Sequence, residues 1–211
     1  MRRAPRITGI VLAAGKGSRM GRTKQLLPYR DQTLLECVVD NACASTLDRI
    51  IVVLGFQADA LARLIVGRGV TVVLNPSYES GQSTSLRAGL QAVTDEADAV
   101  LFLLGDQPLV TSETINRILS DYERSQHSPV VLPVFEGKRG NPALFSRETF
   151  ARIEALNGDC GARSLFAEYA GRILEVTVND PSILTDIDTE EDYHRLLETT
   201  ERGKNGYFGK G

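Results

Sequence analysis

Residues Ile7 to Lys24 read ITGIVLAAGKGSRMGRTK, and this stretch decides the fold. Its first half, Ile7 to Ala14, is a short apolar run rich in β-branched residues. Such a run is expected of a strand buried on both faces, as in a parallel sheet. The run stops at Gly15, and from there to Lys24 the chain carries three glycines, four cationic side chains and one serine. No apolar periodicity resumes before Thr33. A compact domain rarely keeps so long a structureless connection unless the loop has a function. Glycine lets backbone N–H groups approach an anion, and Lys or Arg supplies the compensating charge. The stretch therefore reads as a phosphate-binding loop at the carboxyl end of the first strand.

Two common phosphate motifs do not match. A Walker loop needs four residues between its first glycine and Gly-Lys, then Ser or Thr; here five residues separate Gly9 from Gly15, and Gly17 follows Lys16. A dinucleotide fingerprint needs G-x-G-x-x-G opening directly into a helix. Gly15, Gly17 and Gly21 instead give G-x-G-x-x-x-G, and the next helix begins much later.

Outward from the loop, strand and helix signals alternate. Thr33 to Glu36 has the pattern of a capping box, which starts a helix reaching about Ala44, with Cys37 and Cys43 as packing residues. Arg49 to Leu54 reads as a buried strand, Gln57 to Val66 as a helix and Val70 to Leu74 as a third strand. A helix follows within and beyond Asn75 to Gly89, with Leu86, Leu90 and Val93 as its buried stripe. Ala99 to Leu104 is the most apolar strand and is expected at the centre. Thr111 to Arg124 is an amphipathic helix. From Pro129 the rhythm changes: a strand interrupted by Pro133, a turn over EGKRGNP and a short strand read as a sheet-edge excursion. A helix over Ser146–Leu156, a loop at GDCGAR, a strand over Arg172–Val178 and a helix capped by Thr189 complete the pattern. The expectation is one α/β domain over residues 1–200, a doubly wound, mostly parallel sheet in three layers. Residues 201–211 have no packing pattern and are expected to be disordered.

Composition narrows the function classes. A net charge of −3 does not suggest a nucleic-acid or membrane-surface protein. Three scattered cysteines suit a reducing cytoplasm better than a disulfide framework, and two distant histidines suggest no zinc site. No segment approaches transmembrane length, and the basic start leads into too short an apolar run for a signal peptide.

The pattern LAAGKGSRMG, followed three residues later by Lys24, closely resembles the signature of MobA/MocA-like nucleotidyltransferases. These enzymes transfer a nucleoside monophosphate from an NTP to a phosphorylated acceptor. The resemblance runs in order from Ile7 to Leu197 and implies a Rossmann-like fold of the nucleotide-diphospho-sugar-transferase type. It also implies nucleotide contacts from Leu12, Ala13, Ala14, Gly15, Gly17, Ser18, Arg19, Lys24, Asn75, Gly81, Ser85, Gly105 and Asp106. Ala13-Ala14-Gly15, where guanylyl-transferring members carry a second glycine, resembles the cytidylyl-transferring branch, as do Asn75, Gly81 and Ser85.

In open α/β sheets ligands bind at the carboxyl ends of the strands. Asp106, just past the expected central strand, is placed to hold a hard cation such as Mg²⁺, which takes one or two carboxylates plus phosphate oxygens. As a turn residue before Pro108 it would have no such role. In Asp186-Ile187-Asp188 a strand exit would point the two carboxylates to opposite sides; the resemblance selects Asp188 as the second ligand. Either aspartate could instead favour the positive end of the following helix. Lys24 and Arg19 are the residues to neutralise phosphate charge, with Lys16 solvated.

Arg139, Gly140, Asn141 and Pro142, with Gly158, Asp159, Gly161 and Arg163, resemble the acceptor-side segments of molybdopterin cytidylyltransferases. Asn141 departs from relatives that carry His there, and Arg163 could instead pair with Asp159. The implied reaction is Mg²⁺-dependent transfer of CMP from CTP to molybdopterin, with a molybdenum hydroxylase as a possible client. A sugar or polyol phosphate acceptor and a non-catalytic cofactor chaperone are the competing readings.

Overall fold

The computed structural model describes residues 3–17, 20–125 and 128–205. Among these residues run ten strands and six α-helices. The strands are β1 (Ile7–Ala13), β2 (Pro28–Tyr29), β3 (Gln32–Thr33), β4 (Arg49–Leu54), β5 (Thr71–Leu74), β6 (Ala99–Leu104), β7 (Val130–Phe135), β8 (Lys138–Arg139), β9 (Ala143–Ser146) and β10 (Ile173–Thr177). The helices are α1 (Leu34–Cys43), α2 (Ala58–Leu64), α3 (Gln82–Gln91), α4 (Ser112–Arg124), α5 (Phe150–Glu154) and α6 (Glu190–Asn205). α6 thus carries helical backbone five residues into the stretch expected to be disordered. His127 lies outside the described residues.

The main sheet has the order β10-β7-β9-β6-β1-β4-β5, with β8 paired to β7. The pairs β1·β4, β1·β6, β4·β5 and β7·β10 are parallel. β9 runs antiparallel to both β6 and β7. The strand expected at the centre, β6, is fourth of the seven along this path.

Side chains alternate across the sheet, so the two faces bury different residues of one strand. Ile7, Val11 and Ala13 of β1 join Leu35, Val38, Ile115 and Ile118 beneath α1, α2 and α4. Ile10 and the adjoining Ala14 join Leu86, Leu90 and Ile153 beneath α3 and α5. This explains why β1 and β6 are continuously apolar: a strand with helices on both faces has no wet side. Each fully buried aliphatic side chain contributes about 1.5–3 kcal/mol relative to exposure. The capping box of α1 forms in both directions between Thr33 and Glu36. Thr189 and Asp192 cap α6 by the same reciprocal exchange.

Three expectations are corrected. The segment from Pro129 is not an edge excursion, because β9 inserts beside β6 and β7 is flanked by β9 and β10. Pro133 is tolerated because β7 pairs with β9 only at Val130 and Val131, before the proline. The connection before Thr33 is not structureless: Lys24–Leu26 forms a 3-10 turn, β2 and β3 form a small hairpin, and Leu27 and Tyr29 are buried with Leu34, Ile187 and Tyr193. Cys43 is exposed, so of the two α1 cysteines only Cys37 packs.

Candidate active site

The parallel strands β1, β4, β5 and β6 end on one edge of the sheet, where a cleft of about 1450 Å³ opens. Its floor begins at Leu12, Ala14, Gly15 and Gly17. The turn after Gly15 requires glycine at position 17, where φ is +61° and a Cβ would lie 2.8 Å from the carbonyl of Arg22. That approach bends the chain back, and the 3-10 turn then aims Lys24 into the cleft.

Lys24 joins the two carboxylates that the sequence paired. Its ammonium donates to Asp106 and, at 2.7 Å, to Asp188 Oδ1. Asp106 stands in the turn immediately after β6, and its backbone carbonyl accepts from the N–H of Ile187 at 3.1 Å. This bond, with Ile187 and Tyr193 packed against Leu27 and Tyr29, draws the 186–188 segment to the end of β6. The Tyr193 hydroxyl completes the anchor by donating to Pro28 O at 2.6 Å. The side chains of Lys24, Asp106 and Asp188 keep 11%, 18% and 37% of their exposure.

Burial opposes the charge on Lys24, but Asp106 and Asp188 outweigh it and hold its pKa above the ordinary lysine value. Asp186 also lines the cleft, which strand alternation did not anticipate. The physical reason is that residues 185–188 are irregular, so no two-residue alternation applies. Gln107 Nε2 donates to Asp186 Oδ1 at 2.7 Å. Burial and the neighbouring Asp106 push the Asp186 carboxyl up, Gln107 partly offsets this, and Asp188 adds to it.

The donor set fits a hard divalent cation. Asp106 Oδ1 is buried with no hydrogen-bond partner, and the ammonium of Lys24 stands where a positive charge bridges two carboxylates. Among the described residues no group of three or more His, Cys, Asp or Glu forms a complete metal site. Substrate oxygens and water would complete the shell, as is usual for Mg²⁺.

The other expected site residues divide clearly. Gly81, Ser85, Asn141, Asp159, Gly161 and Arg163 line the cleft. Ala13 does not: its methyl is in the core beneath α1. Gly105 packs against Ala13 and Leu12. Asn75 is buried and acts one layer back, donating to Thr84 Oγ1 at 2.8 Å and Ser85 Oγ at 3.0 Å. Arg139 points away and pairs with Glu175 at 2.7 Å. Gly140 lies tight against Ile183, and Pro142 lines a small apolar pocket behind β6. Gly158 contributes its carbonyl to α3 rather than a surface to the cleft. Ser18 and Arg19 lie outside the described residues.

Several lining residues carried no motif signal. Gln25, Glu79, Gln82, Phe102 and Phe166 join the walls. Lys16 reaches across to Glu79, and that ion pair raises its pKa. A basic loop residue facing an acidic residue some 60 positions away is visible only once β1 and β5 are known to end on one edge.

A doubly wound sheet with a glycine-lysine loop and an acidic pair at its carboxyl edge defines a nucleotidyltransferase of the nucleotide-diphospho-sugar transferase fold. The chain matches the family described as MobA-like NTP transferase domain over residues 9–173, and it belongs to that family. It is 30% identical to nicotine blue oxidoreductase of Paenarthrobacter nicotinovorans, over 92% of this chain and 97% of that one. It is 29% identical to molybdenum cofactor cytidylyltransferase of Escherichia coli, over 87% and 92%. Among solved structures, Rv0371c of Mycobacterium tuberculosis is 36% identical with a TM-score of 0.84, covering 93% of this chain and 100% of that one. A second structure of Rv0371c, in complex with manganese, gives 34% identity, the same coverage and a TM-score of 0.79. Among the described residues no helix is long and apolar enough to cross a membrane.

Proposed function

We propose that the protein transfers CMP from CTP to the terminal phosphate of molybdopterin and releases pyrophosphate. The observation that carries this reading is the convergence of Lys24, Asp106 and Asp188 at the mouth of the β1 loop. An acceptor phosphate oxygen attacks the α-phosphorus in line. A new P–O bond forms, the bond to the β-phosphate oxygen breaks, and its electron pair leaves with pyrophosphate. No enzyme nucleophile is needed, so the protein's part is positioning and charge neutralisation. Lys24 supplies one positive charge to the phosphates. Asp106 and Asp188 would hold Mg²⁺, which when bound supplies further positive charge to phosphate oxygens.

The cytidylyl choice is supported by the Ala13-Ala14-Gly15 pattern, with Ala14 in the floor of the cleft, and by Ser85 in the same lining. Asn141, Asp159, Gly161 and Arg163 form the remaining wall, suited to a bulky acceptor. The likeness to nicotine blue oxidoreductase favours a second reading, in which the same cleft serves a redox reaction. Pyrophosphate release, measured with each of the four NTPs, Mg²⁺ and molybdopterin, separates the two. CTP should be used well over GTP. Equal rates, or a GTP preference, would remove the cytidylyl assignment, and no release from any NTP would favour the redox reading.

A further inference from the structure

The first turn of α3 does not cap itself. Gly81 precedes it with φ +108° and offers no side chain, so the exposed N–H groups of the helix start need partners from elsewhere. The Thr84 N–H turns back to Gly81 O at 3.2 Å, and the first two N–H groups find their partners in one distant loop. Ser83, fully buried, gives both its N–H at 3.3 Å and its hydroxyl at 2.8 Å to the carbonyl of Gly158. The N–H of Gln82 donates to Asp159 Oδ1 at 3.3 Å. The two backbones touch: a Cβ on Gly81 would collide with the carbonyl group of Gly158 and lie 2.6 Å from Asp159 N. A Cβ on Gly161 would lie 2.8 Å from Gln82 Oε1.

This contact joins two parts of the cleft with separate tasks. Gly81 and Ser85 belong to the wall read as nucleotide-facing, and Asp159, Gly161 and Arg163 to the wall read as acceptor-facing. A hydrogen bond whose donor is fully buried has no water to replace it, so breaking it leaves the Ser83 hydroxyl unsatisfied. The 158–163 loop is therefore the cap of α3, and the two walls share one set of bonds.

The geometry points to Ser83 as a positioning residue that couples the two substrate sites. Seating of a nucleotide against the start of α3 fixes the 158–163 loop in its acceptor-binding form, and by linkage the acceptor tightens the nucleotide. This rests on the reading that an NTP occupies the Gly15–Gly17 side of the cleft. Asp159 acts with Ser83 as the helix cap and thus through the loop.

Amide hydrogen exchange tests the coupling on the full chain. The probe is Mg²⁺ with the non-reacting α,β-methylene analogue of whichever of the four NTPs protects residues 15–17. In the wild type, nucleotide should slow exchange both at 81–86 and, by about tenfold or more, at 158–166. In Ser83→Ala, protection at 81–86 should persist while the gain at 158–166 falls to about twofold or less. Asp159→Ala, a surface change that leaves the core intact, should uncouple the loop in the same way, and Asp159→Asn, which keeps an oxygen toward Gln82, should restore the coupling. A merely structural bond would lower stability equally with and without nucleotide and leave the wild-type gain at 158–166 in place. That result, or a wild type without any gain there, would overturn the proposal. The base is read separately, from which analogue binds, so a failed cytidylyl assignment and a failed coupling give different results.

Discussion

The two sides of the cleft are built by different rules. Up to Asp106, apart from the small β2–β3 hairpin, the strands are parallel and alternate with covering helices, and the loops that follow β1, β4, β5 and β6 leave at the same edge. Beyond Pro129 the chain inserts an antiparallel strand into the interior of the sheet, has only 3-10 turns and the short α5 before the terminal α6, and reaches the site through the irregular 185–188 segment. The regular side holds its functional groups by strand ends, which are rigid. The irregular side holds them by bonds to other elements: the Ile187 N–H to the Asp106 carbonyl, Ser83 to the Gly158 carbonyl, and the Tyr193 hydroxyl to the Pro28 carbonyl. Rigid placement concentrates chemistry, whereas borrowed placement spreads it over several supports.

The mutational effects should follow that division. The largest is expected at Asp106, on the end of β6: Asp106→Asn should lower Mg²⁺-dependent pyrophosphate release about a thousandfold. Residual activity above a tenth of wild type across a Mg²⁺ titration would deny the rigid side its leading role. Lys24→Ala comes next, with a loss of about a hundredfold in kcat/KM and an unchanged circular dichroism spectrum. Near-normal turnover would remove Lys24 from the mechanism. The sign of its pKa shift adds a pH test. A raised pKa keeps Lys24 charged through neutrality, so its contribution to stability and activity is present there and is lost only as pH rises through that elevated value. A Lys24-dependent activity loss that begins near neutral pH would contradict the geometry.

On the irregular side, Asp188→Asn should cost roughly tenfold, about 1.4 kcal/mol, and raise the Mg²⁺ concentration needed for half activity. Unchanged Mg²⁺ dependence would reduce Asp188 to a partner of Lys24. Ala14→Gly should weaken the CTP-over-GTP preference by roughly tenfold, within the 1–3 kcal/mol that a steric wall supplies. The smallest effect is expected at Arg139, whose guanidinium is engaged with Glu175 outside the cleft. Arg139→Ala should stay within about threefold of wild type in kcat/KM, since exposed ion pairs contribute about 0–1 kcal/mol. A tenfold loss would bring β8 into the acceptor site.

The same division explains what could be read from the sequence. The regular side was legible because local periodicity and turn chemistry determine it. The apolar run at Ile7, the capping box at Thr33 and the Asp106 turn each announce themselves within a few residues. The order of β6, β9 and β7 was not, because nothing in Ala143–Ser146 says which strands it will lie between. That pairing is decided by shape across the whole sheet. Arg139 and Ala13 share motifs with cleft residues yet point elsewhere, since a motif specifies spacing along the chain and not the direction of a side chain. Asp186 was missed for the opposite reason: strand alternation was assumed where the backbone is irregular.

The bond between Lys24 and Asp188 closes a chain separation of 164 residues. Bringing such distant groups together is slow and entropically costly, so contacts of this length form late in folding. The sheet can therefore gather around β1 and β6 while the reactive centre is still open. Only when the 186–196 segment docks onto Leu27 and Tyr29 do the charges meet. During synthesis, a nascent chain that has emerged only as far as β10 holds the phosphate loop without its second carboxylate. A chain that stops short of the 186–188 segment therefore lacks one of the two carboxylates that meet Lys24.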